Sequence, residues 1–355
     1  MRGGEGGEGE RSPHPSALLD PFQFSETQRM KWGAHTVDGR GRPSEDRWIA
    51  KEHSGDRALV AVFDGHSGLS TVVKTVDALP KSIMALWEKV GDDEAALREG
   101  LRQLFIEHDK ALARAGPLSY RESGSTATVA LVTSKSVILA HVGDSPGFVM
   151  DSTTGKIIQE IKNHEPTRAD EYKRIMANGG TVTREEGDAP RVDGSLMVSR
   201  AFGDFSLKFQ DPHTPEFNKD WTKDFRVTAE PDIIIVPRPA SGLLAVMSDG
   251  LVESATESGP KATSDVANAT FSLYKADPNL QSIVKRQIDN HISESAANPK
   301  DYDGDDLTLI LMDISLPIPA LPQVVQKGGI GATTRKMRGR RTKTGKKKLP
   351  KTFLI

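Results

Sequence analysis

Short apolar runs alternate along the chain with longer stretches in which apolar residues recur every three to four positions. The short runs are bounded by turn residues, and several are rich in β-branched residues, which predicts buried β-strands. They cover Arg47–Lys51, Ala58–Phe63, Thr126–Val132, Val137–Val142, Ile157–Ile161, Asp232–Val236, Leu243–Met247 and Leu307–Met312. The longer stretches predict helices over Leu69–Val90, Glu94–Ala115, Arg168–Asn178, Ser264–Tyr274 and Leu280–His291.

The order of these elements favours a layered α+β fold, because two long helices follow each other directly and strands and helices do not alternate strictly. Three segments are predicted along the chain. Residues 1–27 are rich in Gly, Glu and Pro and are expected to be disordered. Residues 28–315 carry the predicted elements and form the folded domain, and residues 316–355 form a basic, disordered tail.

Charge is spread unevenly over the 355 residues, whose net charge is −2. Residues 327–355 hold eleven Lys or Arg and no acidic residue, so the rest of the chain carries −13. An acidic body with a basic tail does not indicate a uniform nucleic-acid binder. The absence of cysteine excludes disulfides, thiolate metal sites and a cysteine nucleophile. No apolar run approaches the ~20 residues of a membrane span, so a soluble intracellular protein is expected.

Acidic residues stand repeatedly at the ends of the predicted strands. Asp64, Asp144 and Asp249 each follow a strand, whereas Asp305–Asp306 and Glu45–Asp46 precede one. Several carboxylates at one rim repel each other unless cations bind between them. An oxygen-only ligand set suits Mg²⁺ or Mn²⁺, and two such ions can activate a water for attack on phosphorus. Each aspartate alone would be read as a turn residue.

Ten motifs in a fixed order carry more information than any single aspartate. They are Ser-Glu-Asp (44–46), Phe-Asp-Gly-His-Ser-Gly (63–68), Ser-Gly-Ser-Thr-Ala-Thr (123–128), His-Val-Gly-Asp-Ser (141–145), Asn-His-Glu-Pro (163–166), Glu-Tyr-Lys-Arg-Ile (171–175), the segment from Arg191 to Asp204, Ala-Glu-Pro-Asp (229–232), Met-Ser-Asp-Gly (247–250) and Asp-Asp-Leu-Thr (305–308). Over about residues 32–313 the chain resembles the type 2C family of metal-dependent Ser/Thr protein phosphatases. The resemblance implies a four-layer αββα sandwich with two antiparallel sheets and a small flap at residues 167–194.

The resemblance also implies roles for individual residues. Asp64 would bridge two Mg²⁺ or Mn²⁺ ions, with the Gly65 carbonyl and Glu45 completing one site and Asp249 and Asp305 the other. Asp46 would orient water in the second shell. His66 would act as general acid toward the leaving alkoxide, a task suited to imidazole near neutral pH.

Asp144 and Glu253 match the positions that hold a weaker third ion, although the family usually has Asp where Glu253 stands. Three further positions depart from the family pattern. The arginine that holds the substrate phosphate is replaced by Gly41, and Arg42 is the predicted substitute, ahead of Arg40. Pro146 replaces an Arg, and Asp306 replaces an Asn.

The predicted activity is hydrolysis of phosphoSer and phosphoThr by a monomeric protein whose partners are phosphoprotein substrates. Two alternatives stay open: a pseudophosphatase or scaffold of the same fold, which Gly41 keeps open although Asp64, Asp249 and Asp305 are all present, and a small-molecule phosphohydrolase. The basic tail at 335–348 lacks aromatic residues for base stacking. It indicates a nuclear-localisation signal for an import receptor, or a merely solvated tail. Nucleus or cytoplasm is the expected location.

Overall fold

A computed structural model describes residues 30–39, 43–116, 118–186, 188–211, 214–253, 262–295 and 304–316. The strands are β1 Trp32–Val37, β2 Arg47–Glu52, β3 Ala58–Phe63, β4 Gly65–His66, β5 Gly124–Ser125, β6 Ala127–Val132, β7 Ser136–Val142, β8 Gly147–Asp151, β9 Ile157–Glu160, β10 Val182–Thr183, β11 Arg191–Val192, β12 Phe202–Gly203, β13 Asp232–Pro237, β14 Gly242–Met247 and β15 Leu307–Asp313. The helices are α1 Ser70–Val90, α2 Glu94–Ala115, α3 Ala169–Ala177, α4 Phe205–Lys208, α5 Gly250–Glu253, α6 Thr263–Ala276 and α7 Leu280–Ser295.

Two five-stranded antiparallel sheets form the centre of the domain. Sheet I has the strand order β2-β3-β6-β7-β13, and sheet II has the order β1-β15-β14-β8-β9. Helices α1 and α2 cover sheet I, and α6 and α7 cover sheet II. The predicted αββα sandwich is therefore confirmed.

Strand β3 shows how the layers are built from alternating side chains. Leu59, Ala61 and Phe63 face the core shared with α1 and α2. Val60 and Val62 face the opposite way, into the core between the sheets. All six residues of the strand are fully buried, so an uninterrupted apolar run is what a strand covered on both faces requires. Burying one such side chain stabilises the fold by about 1.5–3 kcal/mol.

Local features of the sequence explain why the two long helices form. Helix α1 buries a stripe on sheet I that includes Val72, Leu79 and Ile83. Helix α2 begins at an N-cap aspartate, Asp93, whose Oδ1 accepts hydrogen bonds at 3.0 Å from the backbone amides of Ala95 and Ala96. Such a cap satisfies amides that have no partner within the helix.

The predicted flap consists of α3 and the two-stranded β10–β11 ribbon. Its anchor is Glu171 on α3, which is fully buried. The Glu171 carboxylate pairs with Arg174 and Arg200 at 2.7 Å each, and these guanidinium groups hold its pKa far below the usual range. Arg200 also binds Asp232 at the start of β13 at 3.0 Å. The flap is thus tied to sheet I by ion pairs that are buried at Glu171 and partly exposed at Asp232.

Two long strands were not predicted. Strand β1 reads Trp-Gly-Ala-His-Thr-Val, and β8 reads Gly-Phe-Val-Met-Asp. Both contain residues that are depleted in strands, such as Gly33 and Gly147, yet both add full ladders to sheet II, because pairing with β15 and β14 outweighs local propensity. The other predicted elements are present with ends shifted by a few residues.

Every described residue belongs to one compact unit. Within the described part of the chain, no helix is long and apolar enough to span a membrane. The predicted segment 1–27 lies outside the described residues, as does all of the predicted tail 316–355 except Leu316.

Candidate active site

The sandwich brings the predicted metal ligands to one rim. In sheet I, Arg47 at the start of β2 pairs with Phe63 at the end of β3, so Asp46 and Asp64 leave the sheet side by side. In sheet II, Met247 at the end of β14 pairs with Leu309 near the start of β15, which places Asp249 and Asp305 at one edge.

Charge repulsion shows that these carboxylates form a single cluster. Burial raises the pKa of Asp64 well above its usual value, and the charges of Asp249 and Asp46 raise it further. Burial raises the pKa of Asp46 to about 8, although hydrogen bonds from Thr308 and Ser248 oppose the shift. Burial also raises the pKa of Asp249, and the charge of Asp305 adds to it. A dry rim with this much negative potential suits a cation.

The donor set fits a hard divalent cation. Thr308 Oγ1 donates to Asp46 Oδ2 at 2.6 Å. The other oxygen, Asp46 Oδ1, is buried and has no hydrogen-bond partner among the described residues. Carboxylate oxygens with room for water are the ligands that Mg²⁺ and Mn²⁺ prefer. The residues at this rim therefore fit the ions that the sequence implied.

Asp306, the residue that replaces the family's Asn, has a defined structural use. Its Oδ1 accepts the Gly39 amide at 2.7 Å, and its Oδ2 accepts the Glu45 amide at 2.8 Å. Glu45 Oε1 in turn accepts the Gly68 amide at 2.6 Å. Each amide bonds to a different oxygen of the side chain, an arrangement that a carboxylate allows and an asparagine amide, with one oxygen, does not. Asp306 thus holds the segment that carries Glu45.

His66 lies beside this cluster and contacts a carboxylate that the sequence did not single out. Its Nε2 is 3.0 Å from Asp204 Oδ1 and 2.9 Å from Asp204 Oδ2. Burial lowers the pKa of His66, but the charge and hydrogen bond of Asp204 outweigh it, so the net shift is upward. Glu45 and Asp249 raise that pKa further. A protonated imidazole is the form that can donate a proton.

A buried ion pair supports the turn on which Asp204 lies. Lys208 Nζ is 2.6 Å from Asp109 Oδ2, and both side chains are almost completely buried. Asp109 Oδ1 accepts the Gly203 amide at 2.9 Å, and Lys208 also donates to the Ala201 carbonyl at 2.8 Å. The pair therefore holds residues 201–204 against α2.

The structure gives less information about the other predicted site residues. Asp144 is buried and its charge raises the pKa of Asp64, so it lies near the cluster. Gly65 is closely packed, since a Cβ there would lie 2.9 Å from the Glu45 carbonyl oxygen. Glu253 ends α5, but its side chain is outside the described structure, as are Arg42 and Arg40.

A second group of potential ligands, His141, His164 and Asp232, lies on the flap side of sheet I. The Gly143 amide donates to His164 Nδ1 at 3.1 Å, so His164 carries its proton on Nε2, which lies 3.3 Å from Asp232 Oδ2. Asp232 also accepts from Arg168 and Arg200. A protonated nitrogen and a carboxylate with two guanidinium partners are poor metal ligands, so this group is a hydrogen-bonded support for the flap.

Several of these residues were missed in the sequence for different reasons. Asp204, Glu171 and Arg200 lie within quoted motifs, but nothing in the motifs shows which side chains meet. Asp109 did leave a signal, because it occupies a position on the apolar stripe of α2 between Phe105 and Leu112. A charged residue on a buried stripe requires a partner.

Comparison with known proteins identifies a family for this chain. The family model described as Protein phosphatase 2C matches residues 30–297. A human relative, "Probable protein phosphatase 1N", is 34% identical over 195 residues, which are 55% of this chain and 42% of that protein. "Probable protein phosphatase 2C 17" from Arabidopsis thaliana is 32% identical over 225 residues, which are 62% of this chain and 75% of that protein.

Solved structures share the fold at low sequence identity. A phosphatase from Toxoplasma gondii superposes with a TM-score of 0.64 at 21% identity, covering 81% of this chain and 95% of that one. A Caenorhabditis elegans sex-determining protein superposes with a TM-score of 0.63, also at 21% identity, covering 82% and 66% of the two chains. The family match over most of the described domain shows that this chain belongs to the protein phosphatase 2C family.

Proposed function

We propose that this protein is a metal-dependent Ser/Thr protein phosphatase that hydrolyses phosphoSer and phosphoThr in protein substrates. The observation that carries the proposal is the convergence of Asp46, Asp64 and Asp249 at one buried rim, with His66 beside them. Their raised pKa values indicate a site that needs cations. Among the described residues, no thiolate or all-histidine cluster competes with this site for a catalytic metal.

The chain supplies ligands for two Mg²⁺ or Mn²⁺ ions. Asp64, Glu45 and the Gly65 carbonyl would hold one ion, and Asp64, Asp249 and Asp305 would hold the other. When bound, such ions would lower the pKa of a water and neutralise charge on the phosphate. Asp46 would orient the attacking water through its buried Oδ1, which has no hydrogen-bond partner among the described residues. Asp144 and Glu253 would hold a weaker third ion, and Arg42 would bind the substrate phosphate.

His66 completes the reaction as general acid. Water oxygen bonds to phosphorus and releases one proton to solvent while the bond from phosphorus to the Ser or Thr oxygen breaks. The proton held by His66 passes to that leaving oxygen, which would otherwise depart as a strongly basic alkoxide. The upward shift of the His66 pKa supports the protonated state that this step requires.

The remaining proposals concern the rest of the chain. Residues 28–315 form the catalytic domain, and the protein acts as a monomer. The eleven basic residues of 327–355 act as a nuclear-localisation signal that an import receptor binds. The protein is then located in the nucleus, and the cytoplasm is the alternative location.

The test is hydrolysis of a phosphoThr peptide and of p-nitrophenyl phosphate with and without Mn²⁺. Turnover should require millimolar-range metal, because hard oxygen sites that keep several waters bind such ions weakly, and EDTA should abolish it. His66→Gln should reduce peptide hydrolysis by roughly 10²-fold or more while affecting p-nitrophenyl phosphate far less. Activity that survives chelation would refute the proposal. A folded protein inactive on both substrates with Mn²⁺ would establish the pseudophosphatase or scaffold alternative.

A further inference from the structure

The carboxylate of Asp204 is directed at His66 from the protein interior. Both carboxylate oxygens lie within 3.0 Å of Nε2. The Asp204 side chain is 4% exposed, whereas that of His66 is 24% exposed. One end of the imidazole is therefore held inside the protein, and the ring remains reachable from the solvent side.

The backbone around the pair is arranged to leave space for it. Gly124 on β5 pairs with His66 on β4 and with Gly203 on β12. A Cβ on Gly124 would lie 2.1 Å from His66 Nε2 and 2.2 Å from Asp204 Oδ2. No side chain can occupy that volume while the pair exists, so a glycine at this position keeps the contact possible.

Asp204 itself adopts a conformation that needs support. Its φ is 49°, in the left-handed region that few residues other than Gly, Asn and Asp adopt. Asp204 stands at the N-cap position of α4, but its side chain makes no capping hydrogen bond there. The carboxylate therefore does not serve the four-residue helix that follows it. Its hydrogen bonds go to His66.

A second layer fixes the turn from behind. The Gly203 amide donates to Asp109, whose other oxygen binds Lys208, and Lys208 also binds the Ala201 carbonyl. Because Asp109 and Lys208 are buried, water does not compete for these bonds. The position of the Asp204 carboxylate is thus determined by three elements, α2, β12 and α4.

We propose that Asp204 is the positioning residue for the general acid: it accepts the Nε2 hydrogen of His66 and so makes Nδ1 the nitrogen that delivers the proton. This inference rests on the proposed function of His66. A carboxylate that binds one imidazole nitrogen fixes both the ring orientation and the tautomer. In the reaction the Nδ1 proton moves to the leaving Ser or Thr oxygen while the Nε2 hydrogen stays on the ring, and solvent then returns a proton to Nδ1.

Two substitutions isolate this role without straining the turn. Asp204→Asn and Asp204→Gly both tolerate the left-handed backbone. The first removes the charge, and the second removes the side chain. Glu122→Gln is a matched control, because Glu122 bonds to Ser206 near the same turn, is largely exposed and loses the same charge. Circular dichroism and thermal unfolding verify that each variant folds.

The decisive measurement is a double-mutant cycle with His66→Gln on the two substrates. Each Asp204 variant should lose roughly 10- to 100-fold in kcat on a phosphoThr peptide, part of what a general acid contributes, and much less on p-nitrophenyl phosphate, whose leaving group needs no proton. The double variant should be no slower than His66→Gln alone, because Asp204 acts through His66. Glu122→Gln should match the wild type.

A second readout is independent of turnover. Nitrogen chemical shifts of ¹⁵N-labelled histidine, recorded with Mg²⁺ at alkaline pH, should show His66 as the Nε2–H tautomer in the wild type and as a mixture in Asp204→Gly. Equal losses on both substrates, multiplicative losses in the double variant or an unchanged tautomer would overturn the inference. If His66→Gln itself shows no dependence on the leaving group, the proposed function fails instead.

Discussion

The buried pair of Asp109 and Lys208 offers a quantitative test of how the site is supported. Removing two charges from water costs free energy that their attraction only partly recovers. The raised pKa of Asp109 shows this, because burial outweighs the opposing contributions of Lys208 and the Gly203 amide. Breaking the pair should therefore be far more destabilising than deleting it.

Lys208→Met leaves Asp109 buried without its countercharge. Breaking a pair of this kind costs about 3–5 kcal/mol of unfolding free energy. At roughly 2–4 °C per kcal/mol for a domain of this size, Tm should fall by roughly 6–20 °C. Asp109→Asn combined with Lys208→Met should recover a large part of this loss, because asparagine still accepts the Gly203 amide and carries no charge.

Urea unfolding with saturating Mg²⁺ measures these differences. The control is Lys81→Met, which breaks the Asp77–Lys81 pair at the surface. That pair has the same 2.6 Å separation, but its side chains are 58% and 74% exposed. Exposed pairs contribute little, so the control should be indistinguishable from the wild type. Similar losses for Lys208→Met and Lys81→Met, or a double variant less stable than Lys208→Met, would refute the reasoning.

Two further outcomes are expected. Asp64→Asn and, to a large degree, Asp249→Asn should eliminate phosphopeptide turnover while leaving the fold intact, whereas Asp144→Asn should be milder; equal small losses in all three would indicate turn roles. Burial lowers the pKa of His108 from 6.5 to about 4, so the unfolded chain binds a proton first as pH falls. The wild type should thus lose about 1.4 kcal/mol of stability per pH unit relative to His108→Gln between pH 6.5 and 4. Urea midpoints that run parallel for the two proteins would contradict this assignment.

The strands and site residues that depend on a local pattern of apolar and acidic residues could be predicted from the sequence. Strands such as Ala58–Phe63 are uninterrupted apolar runs, and the aspartates at their ends can be read directly from the chain. Strands β1 and β8 escaped prediction because their residues are mixed, and only pairing with distant strands makes them part of sheet II.

The contacts within the site could not be predicted either, because they join residues that are far apart in the sequence. The contact of His66 with Asp204 spans 138 residues, and that of Asp109 with Lys208 spans 99. His66 and Asp109 stand out in their own segments, but neither segment shows which residue is the partner. Asp306 stood out as a departure from the family's Asn, but its purpose appeared only when its two oxygens were found to accept two backbone amides.

The position of β15 has a consequence for synthesis of the protein. This strand lies between β1 and β14, and Thr36 on β1 meets Thr308 on β15, 272 residues later. At about 5–20 residues per second, a ribosome needs roughly 15–55 s to span that interval. During this interval β1 cannot pair with β15, and an unpaired strand edge promotes aggregation. Asp305 lies two residues before β15, so a nascent chain that ends before residue 305 lacks both a central strand and a carboxylate of the rim. We therefore expect the nascent chain to need chaperone protection late in translation. We also expect prematurely terminated chains to have no activity.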